Sequence, residues 1–319
     1  MQSAQLLDRI PWPANSCYVV AAPLFHATGL ATTTVGLALG NHIVLARRFD
    51  PSAVLAATEE HRAGAIILVP TMLSRILDLG PDEIDRYDTS SLRVIFAAGS
   101  ALSPGVCRRT LLTFGDVLYN LYGSTEVATA AVATPAELRV APGTVGRPPV
   151  GCRIAAYDAN DRLITRPGRS GTLYVSSGLS FSGYTDGGSK RVLDGLMSSG
   201  DTGHFDDHGL WFVDGRDDDM IVSGGENVYP VEVENLLGDH PAIAEAAVVG
   251  VSDPDFGQRL CAFVVVQDGA ALDADAVRDY VRNRLARHKI PRDVVFLDAL
   301  PRNETGKVLK RDLMAGAAE

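Results

Sequence analysis

The chain has little cysteine, and its four cysteines lie far apart. They are Cys17, Cys107, Cys152 and Cys261 in a chain of 319 residues. No two of them have the close spacing of metal ligands, and four cysteines in a chain this long do not make a disulfide scaffold. We therefore expect free thiols that fill the core, in a reducing compartment that we take to be the cytoplasm.

Positive charge is also scarce. Asp and Glu total 39 against 29 Lys and Arg, which gives a net charge of −10. This charge repels nucleic-acid phosphates and anionic membranes, so we expect no nucleic-acid partner. With 46% hydrophobic and 21% charged residues, the composition is typical of a globular protein and excludes a disordered chain. The length predicts about two domains.

Residues 10–46 contain no Asp, Glu, Lys or Arg. Prolines, glycines and a run of three threonines interrupt this segment, so it has no stretch of about 20 apolar residues that could span a bilayer. We therefore expect no integral membrane segment. The uncharged segment is instead predicted to lie in the interior of a soluble domain.

Alternating patterns predict an α/β fold with a largely parallel sheet in the first half of the chain. The predicted strands are 17–21, 43–45, 65–69, 92–97 and 116–122, and the predicted helices are 52–61, 71–79 and 103–114. A small β subdomain at about 135–214 completes a partial large domain, 1–216, with strands at 153–157, 171–175 and 210–213. Residues 217–319 are predicted to form a small mobile α+β domain, with helices at 230–237 and 273–287 and strands at 242–251, 260–267 and 293–297.

The sharpest local signal is the segment Tyr122-Gly123-Ser124-Thr125-Glu126, which follows an apolar strand. Ligands of open α/β sheets bind where strands end. Glycine lets a ligand approach the backbone, the hydroxyls suit phosphate, the carboxylate suits a hard cation, and tyrosine offers a stacking face. An ordinary surface turn is an equally good interpretation of this segment alone.

Two further segments carry weaker signals. Residues 301–307 form a loop that delivers Lys307, in a region (282–311) with nine Lys and Arg against three Asp and Glu. A lysine there could stabilise a developing anion, or it could be an ordinary exposed lysine. Asp201, with Arg216 nearby in sequence, could hold sugar hydroxyls, or the two could be a turn aspartate and a surface arginine.

Taken in order, these segments resemble the AMP-forming adenylation superfamily, which includes acyl-CoA synthetases, adenylation domains of peptide synthetases and luciferases. The resemblance covers nearly the whole chain and rests on YGSTE (122–126), GTLYV (171–175), SGD (199–201), the segment 215–234 and PRNETGK (301–307). PLFH (23–26) and AGSAL (98–102) fit it too. The resemblance implies an enzyme that activates a carboxylic acid with ATP and transfers the acyl group to a thiol.

The resemblance also implies residue roles. The nucleotide would be bound by Tyr122, Gly123, Ser124, Thr125, Asp201 and Arg216. Glu126 would hold Mg²⁺. The catalytic residues would be Thr125, Glu126 and Lys307. The acyl pocket would include Ala98, Gly99, Ser100 and Ala101, with His26 near its mouth. Asp218 would be the hinge of the small domain, and a channel for the coenzyme A arm would be lined by Ser223, Gly224 and Gly225.

The chain departs from the family pattern in two places. Residues 1–22 contain no glycine, so the family's Ser/Thr/Gly-rich phosphate loop, ending in Pro-Lys-Gly, is absent. Ala98 and Ala101 stand where the family often has Gly and Pro. We expect a fragment, a misassigned start or a shortened paralogue, and we expect uncovered apolar surface to cause self-association into a homo-oligomer.

Three functions remain open at this point. The leading one is an AMP-forming acyl-CoA synthetase for a fatty or other hydrophobic acid, using ATP, Mg²⁺ and coenzyme A. The second is an acyl-AMP ligase that loads a carrier protein. The glycine pair at 224–225 favours coenzyme A as the acceptor, and the sequence shows no obvious long insertion of the kind that would favour a carrier protein. The third is a non-catalytic binder of nucleotide or acyl-adenylate.

Overall fold

The computed structural model describes residues 2–185, 187–223, 226–253, 257–303 and 306–316. The chain divides into two compact units, Met1–Ser199 with Gly203–Val213, and Gly200–Thr202 with Asp214–Glu319. Their helices and strands form the mixed α/β fold with a parallel sheet that the sequence predicts.

A six-stranded sheet forms the core of the first unit. Its strands, in the order in which they pair, are β2 (His42–Leu45), β1 (Cys17–Val20), β3 (Ala65–Leu68), β4 (Val94–Ala98), β5 (Leu118–Ser124) and β6 (Ala128–Ala133). The first five strands are parallel, and β6 runs antiparallel to β5. The register of the strands places Val44, Val19, Ile66, Ile95 and Leu118 side by side. Such β-branched and leucine side chains are typical of a parallel sheet that is covered on both faces.

Helices cover both faces of this sheet. Helices α1 (Gln2–Arg9) and α2 (Ala27–Ala38) lie on one face, and α3 (Pro51–Glu60), α4 (Pro70–Leu77), α5 (Pro81–Ile84) and α6 (Pro104–Phe114) lie on the other. Asp50 and Ser103 cap α3 and α6 by accepting hydrogen bonds from backbone N–H groups. The Asp-Pro and Ser-Pro pairs in the sequence predict both helix starts correctly. Helix α7 (Pro135–Val140) follows β6.

Helix α2 shows where the interior prediction for residues 10–46 is wrong. Strand β1 is fully buried, but α2 turns one uncharged face to solvent. Leu30 and Leu37, two turns apart on that face, are 58% and 62% exposed. The helix is uncharged all round, which is typical of a buried helix. Beside it, β2 is the end strand of the sheet, with Leu45 exposed.

We expect this exposed face of α2 to drive self-association, so the double variant Leu30→Lys/Leu37→Lys should remain monomeric at concentrations where the wild-type chain associates. Lysine forms helices about as well as leucine, so the helix itself is retained. Sedimentation velocity over a range of concentrations measures the effect. The matched control is Leu112→Lys, because Leu112 on α6 is 85% exposed on the other face of the sheet. A monomeric wild-type chain, or an equal effect of the control, would contradict the prediction.

The predicted β subdomain forms a second sheet. Its strands are β7 (Arg153–Tyr157), β8 (Gly171–Ser176), β9 (Val192–Leu193), β10 (Leu196–Phe205) and β11 (Trp211–Arg216). They pair in the order β11-β10-β8-β7, with β9 on β10. Strand β10 was not predicted, because its four small polar or glycine residues at 198–201 interrupt the apolar alternation.

The second unit contains a third sheet. Its strands are β12 (Ile221–Ser223), β13 (Glu226–Val228), β14 (Ile243–Asp253), β15 (Gly257–Val266) and β16 (Asp293–Phe296), in the order β13-β12-β15-β14 with β16 on β15. The helices are α8 (Pro230–Gly238), α9 (Ala274–Arg282) and α10 (Lys310–Gly316). The helix predicted over 273–287 is too long: α9 ends at Arg282 with Asn283, a weak helix former, as its C-cap.

The four cysteines are free and buried, as predicted. Burial raises the pKa of Cys107, Cys152 and Cys261 to about 11, so these thiols stay protonated and unreactive at neutral pH. Among the helices in the described part of the chain, none has the length and apolar character needed to cross a bilayer.

Candidate functional site

The carboxyl ends of β1, β3, β4 and β5 meet at one edge of the large sheet, because these strands are parallel. Strands β2 and β3 lie on opposite sides of β1, so the chain changes winding direction between β1 and β3. Open α/β sheets bind ligands outside the carboxyl ends of their strands at such a switch point. The predicted segments 23–26, 98–102 and 122–126 all lie along this edge: the first follows β1, and the other two begin within the last residues of β4 and β5.

His26 and Gly99, two predicted acyl-pocket residues, are neighbours at this edge. A Cβ added to Gly99 would lie 3.4 Å from Cε1 of His26 and 3.6 Å from Cγ1 of Val69, which follows β3. Gly99 has a φ of +94°, a conformation that favours glycine. His26 also caps α2, where its Nδ1 accepts a hydrogen bond from the Thr28 N–H at 3.3 Å. The structural role of His26 is therefore observed, and the pocket role stays a prediction.

The other three predicted pocket residues differ in exposure. Ala98 is the buried last residue of β4, whereas Ser100 and Ala101 are exposed beyond it. Ala98 therefore belongs to the sheet, and the two exposed residues can face a ligand at its edge.

The segment 122–126 crosses a hairpin between β5 and β6, and the strand predicted over 116–122 continues to Ser124. Tyr122, Gly123 and Ser124 are still in β5, and Ser124 pairs with Ala128 at the start of β6. Sequence reasoning ended the strand early because glycine and serine are typical of turns. Cross-strand pairing to the apolar strand β6 extends it.

The hairpin requires glycine at position 123. A Cβ there would lie 1.9 Å from the carbonyl oxygen of Ala128, closer than any real contact. Gly123→Ala should therefore lower the free energy of unfolding by about 3 kcal/mol, the upper range for overpacking. Chemical denaturation measures the loss. Gly238→Ala is the matched control, because no atom lies within 4 Å of a Cβ added to Gly238; an equal loss in both variants would contradict the prediction.

Glu126 is half-buried and held by hydroxyl groups. The Ser124 Oγ accepts from the Glu126 N–H at 3.3 Å, and the Tyr184 hydroxyl donates to Oε1 of Glu126 at 2.8 Å. Burial alone would raise the pKa of this carboxyl, but hydrogen bonds from Ser124 and Tyr184 outweigh it and hold the pKa below its ordinary value. Glu126 is therefore ionised at neutral pH. Thr125, at the turn, is exposed.

Sequence reasoning missed Tyr184. It lies 58 residues after Glu126, and no local spacing relates the two positions. The contact follows from tertiary structure: the Phe181 N–H donates to the Glu126 carbonyl oxygen at 2.8 Å, which brings the segment after β8 to the hairpin. The neighbouring glycines, Gly183 before Tyr184 and Gly187 and Gly188 after it, are turn signals that the sequence offers nearby.

Asp201 and Arg216 lie on neighbouring strands of the second sheet. The prediction that Asp201 sits on a loop is wrong, because Ser199–Asp201 lies within the ten-residue strand β10. Arg216 is the last residue of β11, and the Thr202 hydroxyl donates to the Gly215 carbonyl at 3.4 Å. This contact brings Asp201, the neighbour of Thr202, close to Arg216, the neighbour of Gly215. Both Asp201 and Arg216 are half-buried and take part in further interactions.

The backbone of Lys307 is hydrogen-bonded to Asn303. The Lys307 N–H donates to Oδ1 of Asn303 at 2.9 Å, and the Lys307 carbonyl accepts from the Asn303 N–H at 3.0 Å. Arg302 donates to the Gly306 carbonyl at 2.5 Å and pairs with Glu245 at 3.0 Å. These contacts hold the backbone of Lys307, while its side chain is exposed, so the ammonium group can reach a ligand.

The predicted hinge and channel residues lie earlier in the second unit. Asp218 is the middle residue of a single turn of 3₁₀ helix, Asp217–Asp219, between β11 and β12. Ser223 is the half-buried last residue of β12. Gly224 and Gly225 lie outside the described residues.

A family model described as AMP-binding enzyme matches residues 2–185, more than half of the chain. The chain belongs to the AMP-binding enzyme family. A second model, the AMP-binding enzyme C-terminal domain, matches residues 232–307. This membership confirms the superfamily resemblance that the ordered motifs predict, and both matches cover segments with predicted site residues.

Three known proteins illustrate the family. Indoleacetate–CoA ligase of Aromatoleum aromaticum is 40% identical over 94% of this chain and 59% of its own length. Medium/long-chain-fatty-acid–CoA ligase FadD8 of Mycobacterium tuberculosis is 34% identical over 99% of this chain and 56% of its own. The structure of the amide bond synthetase McbA from Marinactinospora thermotolerans has a TM-score of 0.91 and 32% identity, covering 98% of this chain and 65% of that one. The chain thus spans less than two thirds of each of these AMP-binding enzymes.

Proposed function

We propose that this family member is an AMP-forming acid–thiol ligase, which converts a carboxylic acid and ATP to an acyl-adenylate and then to a thioester of coenzyme A. The observation that carries the proposal is the hairpin turn Ser124–Glu126 at the carboxyl edge of the sheet, which presents hydroxyls and an ionised carboxylate there. The similarity to curated CoA ligases over 94% and 99% of this chain supports the reaction class.

The donors at the turn fit magnesium. Among the described residues, no group of three or more His, Cys, Asp or Glu side chains is arranged around a metal ion. Magnesium is commonly held by one or two carboxylates together with substrate phosphates rather than by a full protein cage. Glu126 would supply the carboxylate ligand, and the hydroxyl of Thr125 would contact the nucleotide phosphates. When bound, the ion would neutralise charge on the phosphate oxygens.

In the first step, a carboxylate oxygen of the acid attacks the α-phosphorus of ATP. The bond from that phosphorus to the bridging oxygen breaks, and pyrophosphate leaves with the electron pair. Tyr122 would stack on adenine, while Asp201 and Arg216 would hold the ribose hydroxyls. Lys307 would contact the carboxylate and phosphate oxygens and stabilise the charge that develops on them.

In the second step, the thiol loses its proton, its sulfur attacks the acyl carbonyl, and AMP leaves. We propose that the small domain, 217–319, turns about Asp218 between the steps, because a short turn between two strands can absorb a backbone change. Rotation would exchange Lys307 for Ser223, Gly224 and Gly225 at the reaction centre. The expected compartment, the cytoplasm, fits the four buried free thiols.

We propose a hydrophobic acid as the substrate. Relatives act, by their names, on indoleacetate and on medium- and long-chain fatty acids, so an aryl-acetic acid and a fatty acid are the two leading classes. His26, Gly99, Ser100 and Ala101 would border the acid. A single methylene changes binding by about 1–3 kcal/mol, so a graded panel of acids can separate the two classes.

The test is acid-dependent release of AMP by the purified chain with ATP, Mg²⁺ and coenzyme A. The panel runs from acetate to palmitate and includes indole-3-acetate and phenylacetate. We expect AMP release with at least one hydrophobic acid and little with acetate. A folded chain that releases no AMP with any acid would contradict the ligase proposal.

A second candidate function is a non-catalytic binder of nucleotide or acyl-adenylate. The predicted nucleotide contacts of Tyr122, Asp201 and Arg216 would serve such a binder as well as a ligase. Calorimetric titration with AMP, combined with the AMP-release assay above, separates the candidates. A non-catalytic binder takes up added AMP but produces no AMP from ATP. Replacing coenzyme A by a phosphopantetheinylated carrier protein in the same assay tests the carrier-protein alternative.

A further inference from the structure

Three contacts hold Tyr184 and the nearby Phe181 against Glu126, and both aromatic residues lie outside the predicted motifs. The Tyr184 hydroxyl donates to Oε1 of Glu126 at 2.8 Å. The Tyr184 ring meets the ring of Phe181 edge-on, with 4.7 Å between centroids and 69° between planes. The Phe181 N–H in turn donates to the Glu126 carbonyl at 2.8 Å. The tyrosine therefore contacts the carboxylate from a segment that is itself tied to the hairpin.

Two hydrogen bonds hold the backbone of Tyr184. Its N–H donates to the Gly188 carbonyl at 2.8 Å, and its own carbonyl accepts from the Gly187 N–H at 3.1 Å. Phe181 packs against the small apolar cluster that includes Val127 and Val175. Because Tyr184 itself is 43% exposed, the hydroxyl has water as a competing partner. The anchored ring is what keeps the hydroxyl directed at Glu126.

We propose that Tyr184 is a positioning residue for Glu126, and that it holds the carboxylate ready for a divalent cation bound with nucleotide phosphates. The inference rests on the proposed function, since the cation belongs to the ATP-dependent step. A glutamate side chain has three rotatable bonds, and fixing them before the ion arrives removes an entropic cost of binding. Tyr184 would not touch the substrate.

The test compares Mn²⁺ binding in the presence of ATP, measured by electron paramagnetic resonance, in the wild-type chain and in Tyr184→Phe. The phenylalanine keeps the ring contact with Phe181 and removes the hydroxyl alone. We expect the affinity for Mn²⁺ to fall about fivefold to tenfold, the size of one typical intramolecular hydrogen bond. Glu126→Gln should lose the affinity altogether.

Tyr157→Phe is the matched control. The Tyr157 hydroxyl donates to Oδ2 of Asp194 at 2.8 Å, the same type of bond at the same length, in the β subdomain. It should leave Mn²⁺ affinity unchanged. A second measurement, AMP binding in the presence of EDTA, separates positioning from general damage, because Tyr184→Phe should bind AMP as the wild type does when no metal is present.

The outcomes are distinct. Wild-type affinity for Mn²⁺ in Tyr184→Phe, with the affinity lost in Glu126→Gln, would overturn the inference and leave the proposed function standing. Equal weakening of AMP binding without metal would assign Tyr184 a structural role and also overturn it. A wild-type chain that binds neither ATP nor Mn²⁺ would overturn the proposed function and the inference with it.

Discussion

Lys307→Ala is expected to slow acyl-adenylate formation by about 10²–10³-fold, the loss typical of removing one group that stabilises developing charge. Two hydrogen bonds to Asn303 hold the backbone of Lys307, so truncation removes the ammonium group without loosening its support. The measurement is single-turnover formation of the adenylate with the best acid of the panel.

The second half-reaction provides the selectivity test for this variant. Because Lys307 is proposed to act in the first step alone, thioester formation from supplied acyl-adenylate and coenzyme A should proceed at the wild-type rate. Lys289→Ala is the matched control, since Lys289 is a partly buried lysine of the same unit that pairs with Glu232. Equal loss in both half-reactions, or in the control, would contradict the assigned role of Lys307.

The buried strands of the large sheet could be predicted from sequence, and helix α2 could not. The run 65–69 is apolar and largely β-branched, and 92–97 is apolar apart from Arg93, which is typical of strands in a sheet covered on both faces. The segment 27–38 is uncharged on every side, so it has no amphipathic period to mark a helix. The sequence does not predict strand β6, because four of its six residues are alanines, which have weak strand propensity, and its pairing with β5 decides its structure.

In the candidate site too, some features could be predicted from the local sequence, and others depend on tertiary structure. The segment 122–126 is contiguous, so its residue types could be identified from sequence. The contacts of His26 with Gly99 and of Tyr184 with Glu126 join positions far apart in the chain. Such contacts depend on strand order and on the packing of one segment, which no local pattern encodes. Sequence therefore predicts the chemical groups, and the fold determines which of them meet.

Glu137→Ala is expected to lower the free energy of unfolding by about 3 kcal/mol, a value at the low end for breaking a buried ion pair. Oxygens of Glu137 accept from Nη2 of Arg9 at 2.6 and 2.7 Å, and the Thr134 N–H donates to Oε2 at 2.9 Å. The side chains of Arg9 and Glu137 are 18% and 15% exposed. Truncation leaves a poorly hydrated guanidinium without its carboxylate and removes the capping box of α7. Urea denaturation measures the loss.

An exposed pair between Arg139 of the same helix and Asp116, which lies between α6 and β5, is the control. Arg139 and Asp116 bond at 2.5 Å, but their side chains are 51% and 61% exposed, so solvent screens the pair. Asp116→Ala should therefore cost less than about 1 kcal/mol. An equal loss in the two variants would show that the Glu137 network adds nothing beyond an exposed ion pair.

The pH dependence of the Glu137 contribution follows from the direction of its pKa shift. Burial raises the pKa of this carboxyl, but the hydrogen bonds from Thr134 and Arg9 and the charge of Arg9 outweigh it and hold the pKa below its ordinary value. The folded chain thus binds this proton less readily than the unfolded chain, whose glutamate has a pKa of about 4.3. The stabilisation is complete above that value and is lost as the pH falls through the lowered folded-state pKa. The difference in unfolding free energy between wild type and Glu137→Ala should therefore be constant from neutral pH to about pH 5 and shrink below about pH 4. A difference that stays constant into that acid range would show that the lost contacts are not those of an ionised carboxylate.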